Sequence, residues 1–163
     1  MFTGIITDVG RVRRVRRGEL LDLTIATAFD TSALPLGASI ACSGTCLTVV
    51  AVEPGAFAAQ ASVETLTCTT LGEWEEGTPV NLEKPLRLGD ELGGHLVLGH
   101  VDGMVRIIER RPEAESVRFV FEAPEEPVKK SHTGPQKQPL LSVSGIGIYL
   151  VTRANSRRER TAK

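Results

Sequence analysis

This sequence predicts an all-β protein: two antiparallel barrels in tandem, the second of them incomplete. Two observations carry that expectation. Six short apolar segments with turn signals between them fill the stretch from Met1 to about Leu86, which is the spacing of a small barrel. From Val97 the opening pattern begins again, as it does when one folding unit has been duplicated.

The first segment, Met1 to Val15, alternates loosely through Ile5, Ile6, Val9, Val12 and Val15 and reads as a strand interrupted at Gly4 and Gly10. Leu21-Asp22-Leu23-Thr24-Ile25 has apolar residues at alternate positions, the period of a strand with one buried face. Ala38 to Cys42 and Cys46 to Glu53 are the third and fourth strands. Ser43-Gly44 turns the chain between them, because Gly accepts a positive φ without steric cost. Ile40, Leu47, Val49 and Val50 pack on either side of that turn. Glu53-Pro54-Gly55-Ala56 is a second turn, with Pro presetting φ and Gly taking the position of positive φ. Phe57 to Ser62 returns as the fifth strand, and Thr78 to Glu83 is the sixth. Between them Glu64 to Gly72 is polar and Thr-rich, a short helix or a loop. The expected core is Ile6, Leu23, Ile25, Ile40, Leu47, Val49 and Val80.

Residues 87–96 are glycine-rich and charged, a linker between residues 1–86 and a second unit, 97–163. Set against Phe2 to Val12, the stretch Val97 to Ile107 aligns Gly99 with Gly4, Val101 with Ile6, Arg106 with Arg11 and Ile107 with Val12. Val117 to Phe121 then falls on Leu21 to Ile25 with a one-residue slip. After about Glu126 the second copy diverges. Pro127 to Gln138 has neither a strand nor a helix period, and Val143 to Val151 is an imperfect substitute for the Ser43-Gly44 hairpin. A basic tail follows, and too few residues remain before Lys163 for the last strands. An altered reading frame from about Pro127 accounts for both the loss of pattern and the truncation. The region from Pro127 to Lys163 is expected to be the least ordered part of the chain.

Composition excludes several function classes. Hydrophobic content of 41%, charged content of 24% and a net charge of −1 over 163 residues describe an ordinary soluble chain. Neither nucleic acid nor an anionic membrane is expected as a partner. Three cysteines, Cys42, Cys46 and Cys68, form no regular framework and point to reduced thiols in the cytoplasm. Cys42 and Cys46 have no second ligand pair at zinc spacing. The first ten residues lack a signal peptide's basic and apolar regions, and no apolar run approaches a membrane span. Arg11, Arg13, Arg14, Arg16 and Arg17 read as the solvated outer face of a strand.

The thiol and hydroxyls of Cys46, Thr45 and Thr48 stand close to the Ser43-Gly44 turn. Small donors beside a closely approachable backbone suit a flat heterocycle with several acceptors. A hairpin with a buried structural Cys is the other reading of the same residues.

Met1-Phe2-Thr3-Gly4-Ile5-Ile6, Ser43-Gly44-Thr45-Cys46-Leu47-Thr48-Val49, Glu64-Thr65-Leu66 and Gly93-Gly94-His95-Leu96 with Gly99-His100-Val101-Asp102-Gly103 occur in that order. Together they resemble the riboflavin synthase α-chain family, and the resemblance runs from Met1 to about Glu126. It implies two six-stranded Greek-key barrels and a C-terminal helix in a homotrimer, with association with lumazine synthase as a further implied partnership. The implied reaction is a dismutation of two 6,7-dimethyl-8-ribityllumazine molecules. It yields riboflavin and 5-amino-6-ribitylamino-pyrimidinedione by moving a four-carbon unit, with neither metal nor cofactor. The implied site lies between the first barrel of one subunit and the second barrel of its neighbour.

The residues that the resemblance carries over for binding are Gly4, Ile5, Ile6, Cys46, Leu47, Thr48, Gln60, Ala61, Ser62, Val63, Glu64, Thr65, Gly99, His100 and Val101. The first three segments are expected to converge at one barrel rim. His100, Cys46 and Thr48 are the candidates for chemistry. His100 suits acid–base work, since imidazole titrates near neutrality and the reaction removes a proton from a ring methyl group. A hydrogen-bonded rim histidine is the competing reading. Cys46 is a binding residue first, because nothing cationic lies near it in sequence to favour its thiolate. His95, flanked by glycine, reads as a backbone cap. Asp22 reads as an indifferent solvent-facing position. The alternative function is a lumazine- or flavin-binding protein that uses the first barrel without turnover.

Overall fold

Alternation along β2 (Leu21–Ala26) buries Leu21, Leu23 and Ile25 and turns Asp22 and Thr24 outward, and the same period organises the rest of the barrel. The computed structural model describes residues 1–94, 96–101, 103–114 and 116–122. Within them β1 (Asp8–Arg17), β2, β3 (Ser39–Cys42), β4 (Thr45–Glu53), β5 (Ala56–Ala61) and β6 (Pro79–Glu83) close into one barrel. A short helix α1 (Val63–Cys68) follows β5, and β7 (Arg106–Glu113) and β8 (Ser116–Glu122) form a separate two-stranded sheet.

The strand order around the barrel is β1-β2-β5-β4-β3-β6, with β6 pairing back onto β1, and every neighbouring pair is antiparallel. The successive hairpins β3-β4-β5, with β2 returning beside β5, make the Greek key. Closure leaves no free edge. The core holds Leu23, Ile25, Ile40, Leu47, Val49, Phe57, Val80 and Leu82, all nearly or wholly buried. Six of the seven residues expected there are in it. Ile6 is the exception: it is only half-buried, because residues 1–7 precede β1 as a strap instead of opening it.

Gly10 does not interrupt β1. It faces inward, and a Cβ there would stand 2.4 Å from the Ala26 carbonyl oxygen and 2.7 Å from the Leu82 side chain. The glycine permits two neighbouring strands to approach. Val50, expected to pack, is 43% exposed, because it follows inward-facing Val49 and alternation turns it outward; the bulge between Val49 and Ala51 then shifts the phase so that Val52 packs against the core.

The β3–β4 turn has positive φ at both central residues, 47° at Ser43 and 89° at Gly44, the pattern of a type I′ hairpin. Ser43 is held there from β6. Its N–H donates to the Asn81 carbonyl (2.7 Å), and its Oγ accepts from the Asn81 N–H (3.3 Å). These two bonds extend the short β3–β6 seam, in which Ala41 pairs with Glu83 and Cys42 with Leu82.

The β7–β8 hairpin reproduces the β1–β2 hairpin in detail. The β1 bulge falls between Val12 and Arg14, where Ile25 and Thr24 are the partners. The β7 bulge falls between Ile107 and Glu109, opposite Phe121 and Val120. Gly4 and Gly99, aligned with each other in sequence, have φ of 81° and 78°. Phe2 and Val97, also aligned, exchange both backbone hydrogen bonds (2.7 and 2.9 Å) as an antiparallel bridge. The expectations for His95 and for everything after Glu122, including the altered frame from Pro127, lie outside the described residues.

Leu47 is 3% exposed and packs in the barrel core. Leu47→Ala should destabilise the protein by about 2–5 kcal/mol, read from chemical denaturation, whereas Val50→Ala on the bulge should change stability by about 0.5 kcal/mol or less.

Candidate functional site

Two adjacent rows of side chains on the outer face of the barrel define the candidate site. Strand register aligns Glu83 on β6, Ala41 on β3 and Cys46 on β4 in the first row. The second row, two residues along, aligns Ser39 on β3, Thr48 on β4, Gln60 on β5 and Asp22 on β2. The first row is covered and the second is open.

The cover is the strap. Phe2 is fully buried, and Val97 to Gly99 lies beside it, bridged to Phe2 through Val97. Glu83, 3% exposed, anchors the strap from below. Its carboxylate accepts from the Thr3 N–H, from the Thr3 hydroxyl (2.7 Å) and from the Gly4 N–H (3.1 Å). A carboxylate removed from water is tolerable when donors surround it in this way. Gly99 carries the strap across Cys46: the Cys46 N–H donates to the Gly99 carbonyl (2.8 Å). At φ +78° and with a would-be Cβ 2.8 Å from the Cys46 Cβ and 2.9 Å from the Phe2 ring, only glycine fits. His100 and Val101 emerge next, both exposed.

The open row is polar. Thr48 and Gln60 are directly opposed across β4 and β5, and both are exposed. Gln60 donates from Nε2 to Asp22 Oδ1 at 2.8 Å. Two residues beyond Gln60, Ser62 caps α1, its Oγ accepting from the Thr65 N–H (3.3 Å) with the Thr65 hydroxyl 3.1 Å away. Glu64 and Val63 are exposed on the first turn of that helix.

The structure thus brings Gly4, Cys46 and Gly99 together at the strap and sets Thr48 and Gln60 on the neighbouring ledge. Ile5 is exposed and Ile6 half-buried beside the strap. Leu47 and Ala61 do not offer side chains to this face, since both point into the core, and any ligand contact there is through backbone. The side chains of these two rows point outward from the barrel wall, and several stand close to strand ends: Ser39 opens β3, Gln60 is the next-to-last residue of β5 and Glu83 ends β6. Three residues of this face escaped sequence reasoning: Ser39, which neighbours Thr48; Asp22, which holds Gln60; and Glu83. Period-2 alternation in β2 marks Asp22 as outward, but nothing local pairs it with β5.

The lumazine binding domain family matches residues 3–85. The chain belongs to that family. Lumazine-binding barrels of the same kind occur in solved structures: LumP complexed with 6,7-dimethyl-8-(1'-D-ribityl) lumazine superposes with a TM-score of 0.68 at 23% identity, covering 77% of this chain and 71% of that one. LumP complexed with riboflavin gives 0.66 at 23% identity, covering 77% and 68%. Among curated relatives, the riboflavin synthase of Brucella abortus is 54% identical over 132 residues, 77% of this chain and 65% of the relative. That of Mycobacterium tuberculosis is 47% identical over 116 residues, 69% and 57%. That of Actinobacillus pleuropneumoniae is 40% identical over 120 residues, 73% and 56%. The chain therefore spans between 56% and 65% of the length of these three relatives.

In this barrel the two neighbouring thiols have opposite situations. Cys42 points into the core, where burial, with a smaller contribution from Cys46, pushes its thiol far up, so it stays protonated and inert. Cys46 is half-buried on the outer face beside Gly99. The pair cannot chelate one ion from opposite faces of the sheet. No helix among the described residues is long and apolar enough to cross a membrane.

Glu83→Ala should release the strap while the barrel stays closed. Backbone amide exchange of Thr3 and Gly4 should rise to the rate of an unstructured chain, whereas Leu23 and Val49 amides keep their protection. Slow exchange at Thr3 in this variant would show that Phe2 alone holds the strap.

Proposed function

We propose that this chain acts as a riboflavin synthase, a transferase that dismutates two 6,7-dimethyl-8-ribityllumazine molecules into riboflavin and 5-amino-6-ribitylamino-pyrimidinedione. The observation that carries the reading is the polar ledge Ser39–Thr48–Gln60 beside the Cys46–Gly99 contact, on a barrel of the lumazine binding domain family. A slot with one apolar wall and few, placed polar groups suits a flat ring with a polyol tail. In this reading Gly4, Ile5, Ile6, Gly99 and Val101 face the ring from the strap. Thr48 and Gln60 meet polar atoms of the ring and its ribityl chain, and Cys46 supplies a donor. Ser62 to Thr65 border the ligand along α1, and Leu47 and Ala61 contribute backbone.

His100, exposed and directly after Gly99, is the group we assign to removal of the proton from the ring methyl. An imidazole within reach of a bound ring is well matched to that task at neutral pH. Riboflavin synthase identity in the Brucella abortus relative at 54% supports turnover over mere binding.

The same reading extends to organisation. Residues 1–86 are one lumazine-binding unit, 87–96 a connection and 97–163 the second copy. The repeated bulge, the matched φ of Gly4 and Gly99, and the reciprocal Phe2–Val97 bridge support it. A homotrimer, in which a second unit from a neighbouring subunit meets the ledge, a cytoplasmic location and a contact with lumazine synthase complete the proposal.

Incubation with the ribityllumazine should produce riboflavin, followed by its fluorescence. Thr48→Val should weaken ribityllumazine binding by about 1–3 kcal/mol, measured by titration of ligand fluorescence. His100→Gln should lower turnover by about 10² or more with binding retained. Tight binding without any riboflavin would leave the chain a lumazine-binding protein. Failure to bind either ligand would refute the reading.

A further inference from the structure

The hydrogen bond between Gln60 and Asp22 settles which way the Gln60 amide faces. An ionised carboxylate has no proton to donate, so the atom against Asp22 Oδ1 at 2.8 Å must be the amide nitrogen. Oxygen and nitrogen lie on opposite sides of a planar carboxamide. Asp22 on β2 thus holds the amide nitrogen, and the Gln60 carbonyl oxygen is the atom left for a partner on the ledge it shares with Thr48 of β4. The ledge then reads, from β3 to β5, as the Ser39 hydroxyl, the Thr48 hydroxyl and a fixed amide oxygen in one line across three strands. A line of this kind fits an extended chain bearing several hydroxyls better than the single edge of a flat ring.

We propose that Asp22 is a positioning residue: it locks the Gln60 carbonyl oxygen as an acceptor for a hydroxyl of the ligand's polyol chain. The inference rests on the functional reading above and adds the residue that orients the polyol end of the site. Asp22 itself touches no ligand. Without it the amide is free to flip and present N–H groups, and the acceptor is lost for part of the time.

The test is titration of riboflavin and of lumiflavin, the same ring with methyl in place of ribityl, by flavin fluorescence quenching. Asp22→Ala should weaken riboflavin about tenfold, the worth of one hydrogen bond, and shift lumiflavin by less than about twofold. Asp22→Asn should restore riboflavin affinity, since the Asn side-chain oxygen accepts the same bond. Asp22→Ala combined with Gln60→Ala should bind no more weakly than Gln60→Ala alone, because the two residues act as a unit. Equal losses for both flavins, additive losses in the double variant, or no loss at all would each overturn the inference and leave the functional reading standing. A wild-type protein that binds neither flavin nor ribityllumazine would overturn the functional reading, and this inference with it.

Discussion

A buried carboxylate on the outside of a barrel is the constraint on which the rest of this structure depends. Glu83 belongs to the last barrel strand, yet its side chain points away from the core and is still almost fully buried. Its surroundings come from the first residues of the chain, roughly 80 positions away, whose N–H groups and hydroxyl converge on it. A charge in that place is costly unless its acceptor positions are filled. The strap and the carboxylate therefore require each other, and the strap's course over β3 and β4 follows from where β6 closes the barrel.

Barrel closure and strap together make an asymmetric outer face. One row of outward side chains is roofed by Phe2 and Val97 to Gly99, and the next row is left to solvent. The boundary between them is where apolar wall meets polar ledge. Cys46 stands at that boundary, its backbone bound to Gly99 and its neighbour Thr48 facing the open row. The strap joins the two aligned segments of the chain, since Phe2 and Val97 bond to each other reciprocally. Two residues that exchange both bonds lie on a local two-fold relation between the segments that carry them.

Much of the fold was legible in the sequence for simple reasons. Alternation in Leu21 to Ile25 and in the stretch around Leu47 set the strand phase, and Pro54-Gly55 and Ser43-Gly44 set two hairpins. Period-2 alternation breaks down only after Val50, where the β4 bulge turns Ala51 outward and Val52 toward the core, and a one-residue insertion leaves no mark in composition. Gly10 looked like a break because glycine weakens strands, whereas here it relieves a clash between β1, β2 and β6.

The sequence by itself determined most of the strands and their buried faces, the turns, and the family through short motifs. These are local properties, written in neighbours one to four residues apart. Tertiary structure alone decided which outward residues share a ledge. Asp22 reaches Gln60 over 38 positions, and Ser39 meets Thr48 only through the β3–β4 register. Alternation says that each of these points outward but not which strands lie side by side, and strand neighbourhood follows from closing the sheet. The anchoring of Thr3 by Glu83 is of the same kind. No pattern around either residue announces it, because the donors and the carboxylate meet only after the barrel has closed.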